Sequence, residues 1–217
     1  KDADKEVRQT ATWRLERIRD SRAVEPLFAT ALGDKDEYTR ICTARALGEQ
    51  GDLRAVSPLL RLLREKKEGR SFRAELGLPL GKLRSPEANG ELLRLLSDPS
   101  EPEDVRAGAA RGLAIAGDRR TIEPLNAILK SSHGGPKLRV GAVDAVAALD
   151  GKAGAPLLTK IAVNKSEHGL VRFWAARHLV DLTDGAVDDA RIVEALLGIG
   201  EVSGQTGTGE EQNLEAM

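Results

Sequence analysis

One pattern of residues is repeated six times along the sequence, and this repetition constrains the fold more than any other feature of the chain. Successive repeats start 32 residues apart once and 33 residues apart thereafter. The starts are Val7, Thr39, Phe72, Val105, Leu138 and Val171. A fixed period of this length is typical of repeat proteins, in which each repeat is one supersecondary element.

Several residue types recur at fixed places within the repeats. The second position is always arginine: Arg8, Arg40, Arg73, Arg106, Arg139 and Arg172. An aspartate recurs near the middle: Asp20, Asp52, Asp118 and Asp184. A proline followed by leucine comes next: Pro26, Pro58, Pro124 and Pro156. We interpret the arginines and aspartates as structural columns that hydrogen bond between successive repeats, rather than as an anion-binding stripe.

Residues 105–130 show how one repeat folds. Val105, Ala109 and Leu113 are spaced four apart and therefore share one helical face. Gly117 is predicted to end this helix, and Pro124 suits the first turn of a second one. Because such a pair cannot bury its apolar face alone, the repeats must stack.

The sequence therefore predicts an all-α fold, a right-handed α-solenoid of about six two-helix repeats. This solenoid is expected to occupy residues 1–199. Residues 200–217 lack apolar periodicity and are predicted to form a flexible acidic tail. The sequence starts at a lysine, so we also expect it to be part of a longer chain.

The third repeat departs from the pattern. Its first helix contains Gly77, Pro79 and Gly81, and the interior proline predicts a kinked or broken helix. Its second helix carries Glu91 where other repeats have proline. This departure is either simple divergence or a local bend that shapes a binding surface.

The pattern VRxxAAxxLxxxGDxRxxxPLxxLL, approximated at residues 105–129 and 39–63, resembles the HEAT-like repeats found in bacterial phycobilin lyases and bacterial scaffold proteins. This resemblance covers roughly residues 7–198. It implies a helical solenoid, but it says little about function, because the shared residues are those that build the repeat. The lyase branch of the family implies handling of a bilin chromophore, usually together with a partner subunit.

No catalytic constellation stands out in the sequence. His133, His168 and His178 lack a metal-ligand spacing, and Cys42 is predicted to be a packed thiol. We therefore predict a non-enzymatic chain that needs no cofactor and no metal.

A basic stretch contains residues that the repeat pattern does not require and that are therefore candidates for function. Residues 54–94 carry 10 basic and 5 acidic side chains, a net charge of +5, whereas the whole chain has a net charge of −1. If second helices line the concave surface, Arg61, Arg64 and Arg94 share one groove, which Lys66, Lys67 and Arg70 extend. The groove is either a solvated basic face or a docking site for an acidic segment of a partner.

Two tryptophans are also out of pattern. Trp13 and Trp174 lie in the first and last repeats, where they either cover the ends of the stack or contact a partner.

The leading functional hypothesis is a protein–protein interaction scaffold whose concave face binds a partner protein or an acidic segment. The alternatives are a phycobilin-lyase-like subunit that handles a chromophore, and a nucleic-acid-binding solenoid. The pI near 6.4 argues against nucleic acid, and no apolar run is long enough to cross a membrane. The single cysteine favours a cytoplasmic location.

Overall fold

A computed structural model describes residues 4–18, 20–30, 33–131, 134–183, 185 and 190–197. The chain divides into two compact units, Lys1–Asp150 and Gly151–Met217. Asp184 and the predicted tail at residues 200–217 lie outside the described residues. The extent of the solenoid over residues 1–199 stays a prediction.

Within the described residues all regular structure is helical, which confirms the predicted all-α repeat fold. The helices of the N-terminal unit are α1 Lys5–Arg17, α2 Val24–Thr30, α3 Glu37–Gln50, α4 Val56–Arg64, α5 Arg70–Glu75, α6 Gly77–Leu83, α7 Pro86–Ser97, α8 Glu103–Ala116, α9 Ile122–Lys130 and α10 Pro136–Asp150. Those of the C-terminal unit are α11 Ala155–Val163, α12 Gly169–Leu182 and α13 Ala190–Leu197.

The helices of the N-terminal unit form two layers. One layer contains the first helices of the repeats, in which α3 packs on α1, α6 on α3, α8 on α6 and α10 on α8. The other layer contains the second helices, of which α7 packs against α8 and α9 against α10. In the C-terminal unit, α11, α12 and α13 pack against one another.

The core of the N-terminal unit follows the repeat. The aliphatic residue eight positions after the start of a repeat is fully buried in four consecutive repeats: Leu47, Leu80, Leu113 and Val146. Burial of each such side chain contributes about 1.5–3 kcal/mol.

The third repeat has a broken first helix, as its proline predicted. Helix α5 ends at Glu75, α6 begins at Gly77, and Leu76 lies between them. The ring of Pro79 would collide with the carbonyl four residues earlier in a continuous helix, and that carbonyl belongs to Glu75. The break therefore falls where the proline requires it.

Glycines allow the third and fourth repeats to pack backbone against backbone. A Cβ on Gly77 would overlap the carbonyl oxygen of Gly108, and one on Gly81 would overlap that of Gly112. In the other direction, a Cβ on Gly108 would overlap the carbonyl oxygen of Ala74. Only residues without a side chain permit this close approach.

Among the described residues, the column arginines make bonds within the fold, but the hydrogen bonds expected between them and the column aspartates are wrong. From the third repeat onward, each arginine donates to a carbonyl ten residues earlier, in the last turn of the preceding second helix. The pairs are Arg73 with Leu63, Arg106 with Leu96, Arg139 with Leu129 and Arg172 with Ala162. These carbonyls have no partner within their own helix, and a cation there also complements the helix dipole.

In the first two repeats the arginines bind carboxylates in the loops between repeats. Arg8 contacts Asp34 through two nitrogens at 2.8 and 3.0 Å, and Arg40 contacts Glu68 at 3.0 Å. The aspartate column is satisfied locally, since Asp52 pairs with Arg54 at 2.6 Å. In the same way, Asp20 pairs with Arg22 and Asp118 with Arg120, both at 2.5 Å.

Candidate functional site

Helix α4 presents two of the predicted basic residues. Its apolar face is buried and consists of Val56, Leu59, Leu60, Leu62 and Leu63. Arg61 and Arg64, three residues apart, are exposed on its other side. Both lie in the last turn of α4, where cations are stabilised by the helix dipole.

Helix α7 packs against α4 and completes the cluster. Glu91 of α7 lies between Arg64 and Arg94, with its carboxylate 3.2 Å from Arg64 Nε and 3.0 Å from a terminal nitrogen of Arg94. Arg94 also lies 3.5 Å from Asp98. The structure therefore brings Arg64 and Arg94 together around Glu91, a carboxylate that the sequence pattern did not place there. Arg61 is exposed one turn before Arg64 on α4.

Glu91 is a constrained carboxylate. Its side chain is only 11% exposed, whereas Arg64 and Arg94 are each 52% exposed. Burial raises the pKa of Glu91, but hydrogen bonds from Arg94 and Arg64 outweigh burial, and the resulting pKa is below the usual value. Glu91 stays ionised near neutral pH and binds both guanidinium groups.

The cations that were predicted to extend the groove, Lys66 and Lys67 after α4 and Arg70 at the start of α5, are exposed, and two of them are paired. Lys67 lies 3.0 Å from Glu65, and Arg70 lies 3.6 Å from Asp104. Lys66 is exposed beside them. We define the α4–α7 basic surface as Arg61, Arg64, Glu91, Arg94 and Lys66, and its role in binding a partner stays a prediction.

The two tryptophans have different surroundings. Trp13 in the N-terminal unit is 43% exposed, and the guanidinium carbons of Arg14 and Arg17 lie 5.0 and 5.5 Å from its ring centre. Trp174 in the C-terminal unit is partly buried, with the ring of Phe173 at 5.6 Å and that of His178 at 6.1 Å. Trp13 is thus the more accessible aromatic surface.

In the part of the chain that the structure describes, no group of three or more His, Cys, Asp or Glu side chains could hold a metal ion. Cys42 is buried, and burial raises the pKa of its thiol above the usual value. His168 caps α12, where its Nδ1 accepts a hydrogen bond from the amide of Leu170 at 3.2 Å. No described helix has the length and apolar character needed to cross a membrane.

Stacked two-helix repeats with an arginine at the second position of each repeat define a helical-repeat protein. A family profile described as HEAT repeats matches residues 1–79 and 70–135. The chain therefore belongs to the HEAT repeat family.

Two individual proteins are similar to the chain. The bilin biosynthesis protein PecE of Mastigocladus laminosus is 28% identical over 171 residues, which are 76% of this chain and 62% of PecE. This chain thus spans less than two thirds of that relative. The structure of the complex of CpcE and CpcF of phycocyanin lyase from Nostoc sp. PCC7120 matches with a TM-score of 0.56 and 19% identity, covering 93% of this chain and 91% of the matched chain.

These relatives contradict the prediction that the chain is not an enzyme. One is named for bilin biosynthesis, and the other is part of a phycocyanin lyase. That prediction rested on the lack of a recognisable catalytic motif, and the shared residues of helical repeats are those that build the fold.

Proposed function

We propose that this chain is a subunit of a bilin lyase-type enzyme, which binds an open-chain tetrapyrrole and works with a second protein chain. The observation that carries the proposal is the 28% identity with the bilin biosynthesis protein PecE over 171 residues. The similarity in fold to a phycocyanin lyase, whose structure is a complex of two named proteins, supports the protein partner. These similarities favour chromophore handling over a scaffold without catalytic function.

The described residues fit a role in binding and orientation. The thiol of Cys42 is only 2% exposed and its pKa is raised, so it is a poor nucleophile. We therefore assign to this chain the noncovalent capture of the bilin, which raises its effective concentration at the reacting groups.

Trp13 is the contact that we assign to the bilin. Its exposed ring offers an apolar surface to a conjugated ring system, and Arg14 and Arg17 lie beside it. A bilin carries conjugated pyrrole rings and carboxylates, which match an aromatic ring flanked by guanidinium groups.

The test is a titration of the purified chain with phycocyanobilin, followed by visible absorbance and visible circular dichroism. We expect a saturable dichroic band, because a bilin held by a chiral site adopts one handed conformation. Trp13→Ala should weaken binding about fivefold, the effect of losing an aromatic contact. Tyr38→Ala removes another exposed ring and serves as the control. The absence of any induced band at all bilin concentrations would contradict the proposal.

A further inference from the structure

We propose that the α4–α7 basic surface is a docking site for an acidic segment of a partner protein, and that Glu91 occupies part of this site until the segment binds. This inference goes beyond the proposed function and does not depend on it. It rests on the arrangement of two guanidinium groups, those of Arg64 and Arg94, around the carboxylate of Glu91, with Arg61 exposed one turn before Arg64.

The contact between Glu91 and its two arginines shows how the surface receives a carboxylate. Arg64 approaches Glu91 with two nitrogens, each at 3.2 Å, and Arg94 approaches it with a terminal nitrogen at 3.0 Å. Planar guanidinium groups recognise carboxylates in this way. The two arginines belong to different helices, so the site is held by the packing of α4 against α7.

Arg61 is the arginine of this surface that forms no ion pair with Glu91. It is exposed one turn before Arg64 on α4, and no ion-pair partner for it is found among the described residues. Arg61 and Arg94 occupy the same position in consecutive repeats. An incoming acidic chain therefore meets Arg61 first and then competes with Glu91 for Arg64 and Arg94.

The charge of the surface selects an acidic partner. Helix α4 has two arginines and no acidic residue. Glu65 follows it and pairs with Lys67, and Lys66 lies exposed between these two residues. The neighbouring second helix α9 lacks this character, since Ala127 stands where α7 has Arg94. The positive surface is thus local, which suits a short acidic segment better than a long polyanion such as nucleic acid.

The experiment measures the anisotropy of a fluorescein-labelled oligo-glutamate peptide bound to the full chain, with an oligo-glutamine peptide as the uncharged control. Arg61→Gln should weaken binding about threefold, and the double variant Arg61→Gln, Arg94→Gln about tenfold, as expected for exposed ion pairs. Glu91→Gln should strengthen binding about threefold, because it frees Arg64 and Arg94. Arg120→Gln removes an exposed arginine on the fourth repeat and should leave binding unchanged.

Weaker peptide binding by Arg61→Gln together with stronger peptide binding by Glu91→Gln would support the docking site. If all variants bind the acidic peptide like the wild type, or if Glu91→Gln weakens binding, the proposal is wrong. Displacement of the peptide by phycocyanobilin would also overturn it, since the surface would then be a chromophore site. Arg61→Gln disturbs no described ion pair, so its result can be read even if another variant folds poorly.

Discussion

The third and fourth repeats share a sequence pattern, but their first helices differ in continuity and in the residue at which they end. The fourth repeat has one continuous first helix, α8, which ends at Gly117 in a left-handed conformation with φ of 76°. In the third repeat the first helix is broken into α5 and α6 and ends at Arg84, a non-glycine residue with φ of 49°.

The second helices differ as well. In the fourth repeat a 3-10 helix at Arg119–Thr121 leads into α9, which has 9 residues. In the third repeat Ser85 caps α7 directly, and α7 has 12 residues. The longer helix carries Glu91 and Arg94, so the irregular repeat supplies two of the five residues of the basic surface. Regular repeat geometry is thus lost in a repeat that contributes to the basic surface.

The largest expected difference between the two repeats concerns their column arginines. Arg73 forms a buried ion pair with Glu101 at 2.8 Å, whereas Arg106 has no ion pair among the described residues. Glu101→Gln leaves the buried guanidinium without its counterion and should lower the free energy of unfolding by about 3 kcal/mol. Arg106→Gln removes one hydrogen bond to a carbonyl and should cost about 1 kcal/mol. Urea unfolding followed by far-UV circular dichroism measures both, and equal losses would contradict this distinction.

The glycine contact between the two repeats is the next test. Gly108→Ala places a methyl group on the carbonyl of Ala74 and should cost about 3 kcal/mol, because backbone must move. Gly90→Ala is the matched control, since a Cβ there meets nothing within 4 Å. Alanine is the better helix former, so this control should stabilise the chain by about 0.5–1 kcal/mol. A melting temperature unchanged by Gly108→Ala would show that the helices are not in such close contact.

The residues that follow the first helices of the two repeats, Arg84 and Gly117, can be tested by substitutions in opposite directions. Arg84→Gly relieves a left-handed conformation that costs a non-glycine residue about 1 kcal/mol, and should raise stability by that amount. Gly117→Ala imposes the same conformation on alanine and should lower stability by about 1 kcal/mol. Thermal melting measures both changes in stability. A loss of stability in Arg84→Gly would mean that the contacts of the arginine side chain stabilise the fold by more than its left-handed backbone costs.

The smallest effect is the pH dependence that Glu91 adds to the third repeat. Its pKa is lowered in the folded chain, so ionised Glu91 stabilises the fold above the pKa of the unfolded chain. This contribution is lost as the pH falls through the lowered pKa. Relative to Glu91→Gln, the wild type should be more stable by less than about 1 kcal/mol at neutral pH. The difference in melting temperature should shrink on acidification, and a constant difference would exclude this role of the ionised carboxylate.

The sequence predicted those features of the structure that depend on residues close together in the chain. Pro79 predicted the break between α5 and α6, and Gly117 predicted the end of α8, because both act on their own backbone. It failed where partners are distant in sequence. The column arginines bind helix carbonyls and loop carboxylates instead of the described column aspartates. Asp20, Asp52 and Asp118 each bind an arginine two residues later.

The same limit applies to the candidate site. The three arginines could be placed on second helices from their spacing, but the role of Glu91 depends on the approach of α7 to α4. Its intrahelical contact with Arg94, three residues later, could have been foreseen, whereas its contact with Arg64 could not. The glycine contacts were missed for a similar reason, since Gly77 and Gly108 meet only because α6 packs against α8.

Hydrogen–deuterium exchange of the full chain, with and without the oligo-glutamate peptide, tests most directly that the irregular third repeat contributes to a docking surface. We predict slower exchange in α4 and α7 when the peptide is bound, with α9 of the regular fourth repeat unchanged. Equal or greater protection of α9 would contradict the account, because the peptide would then follow the repeat and not the surface built around Glu91.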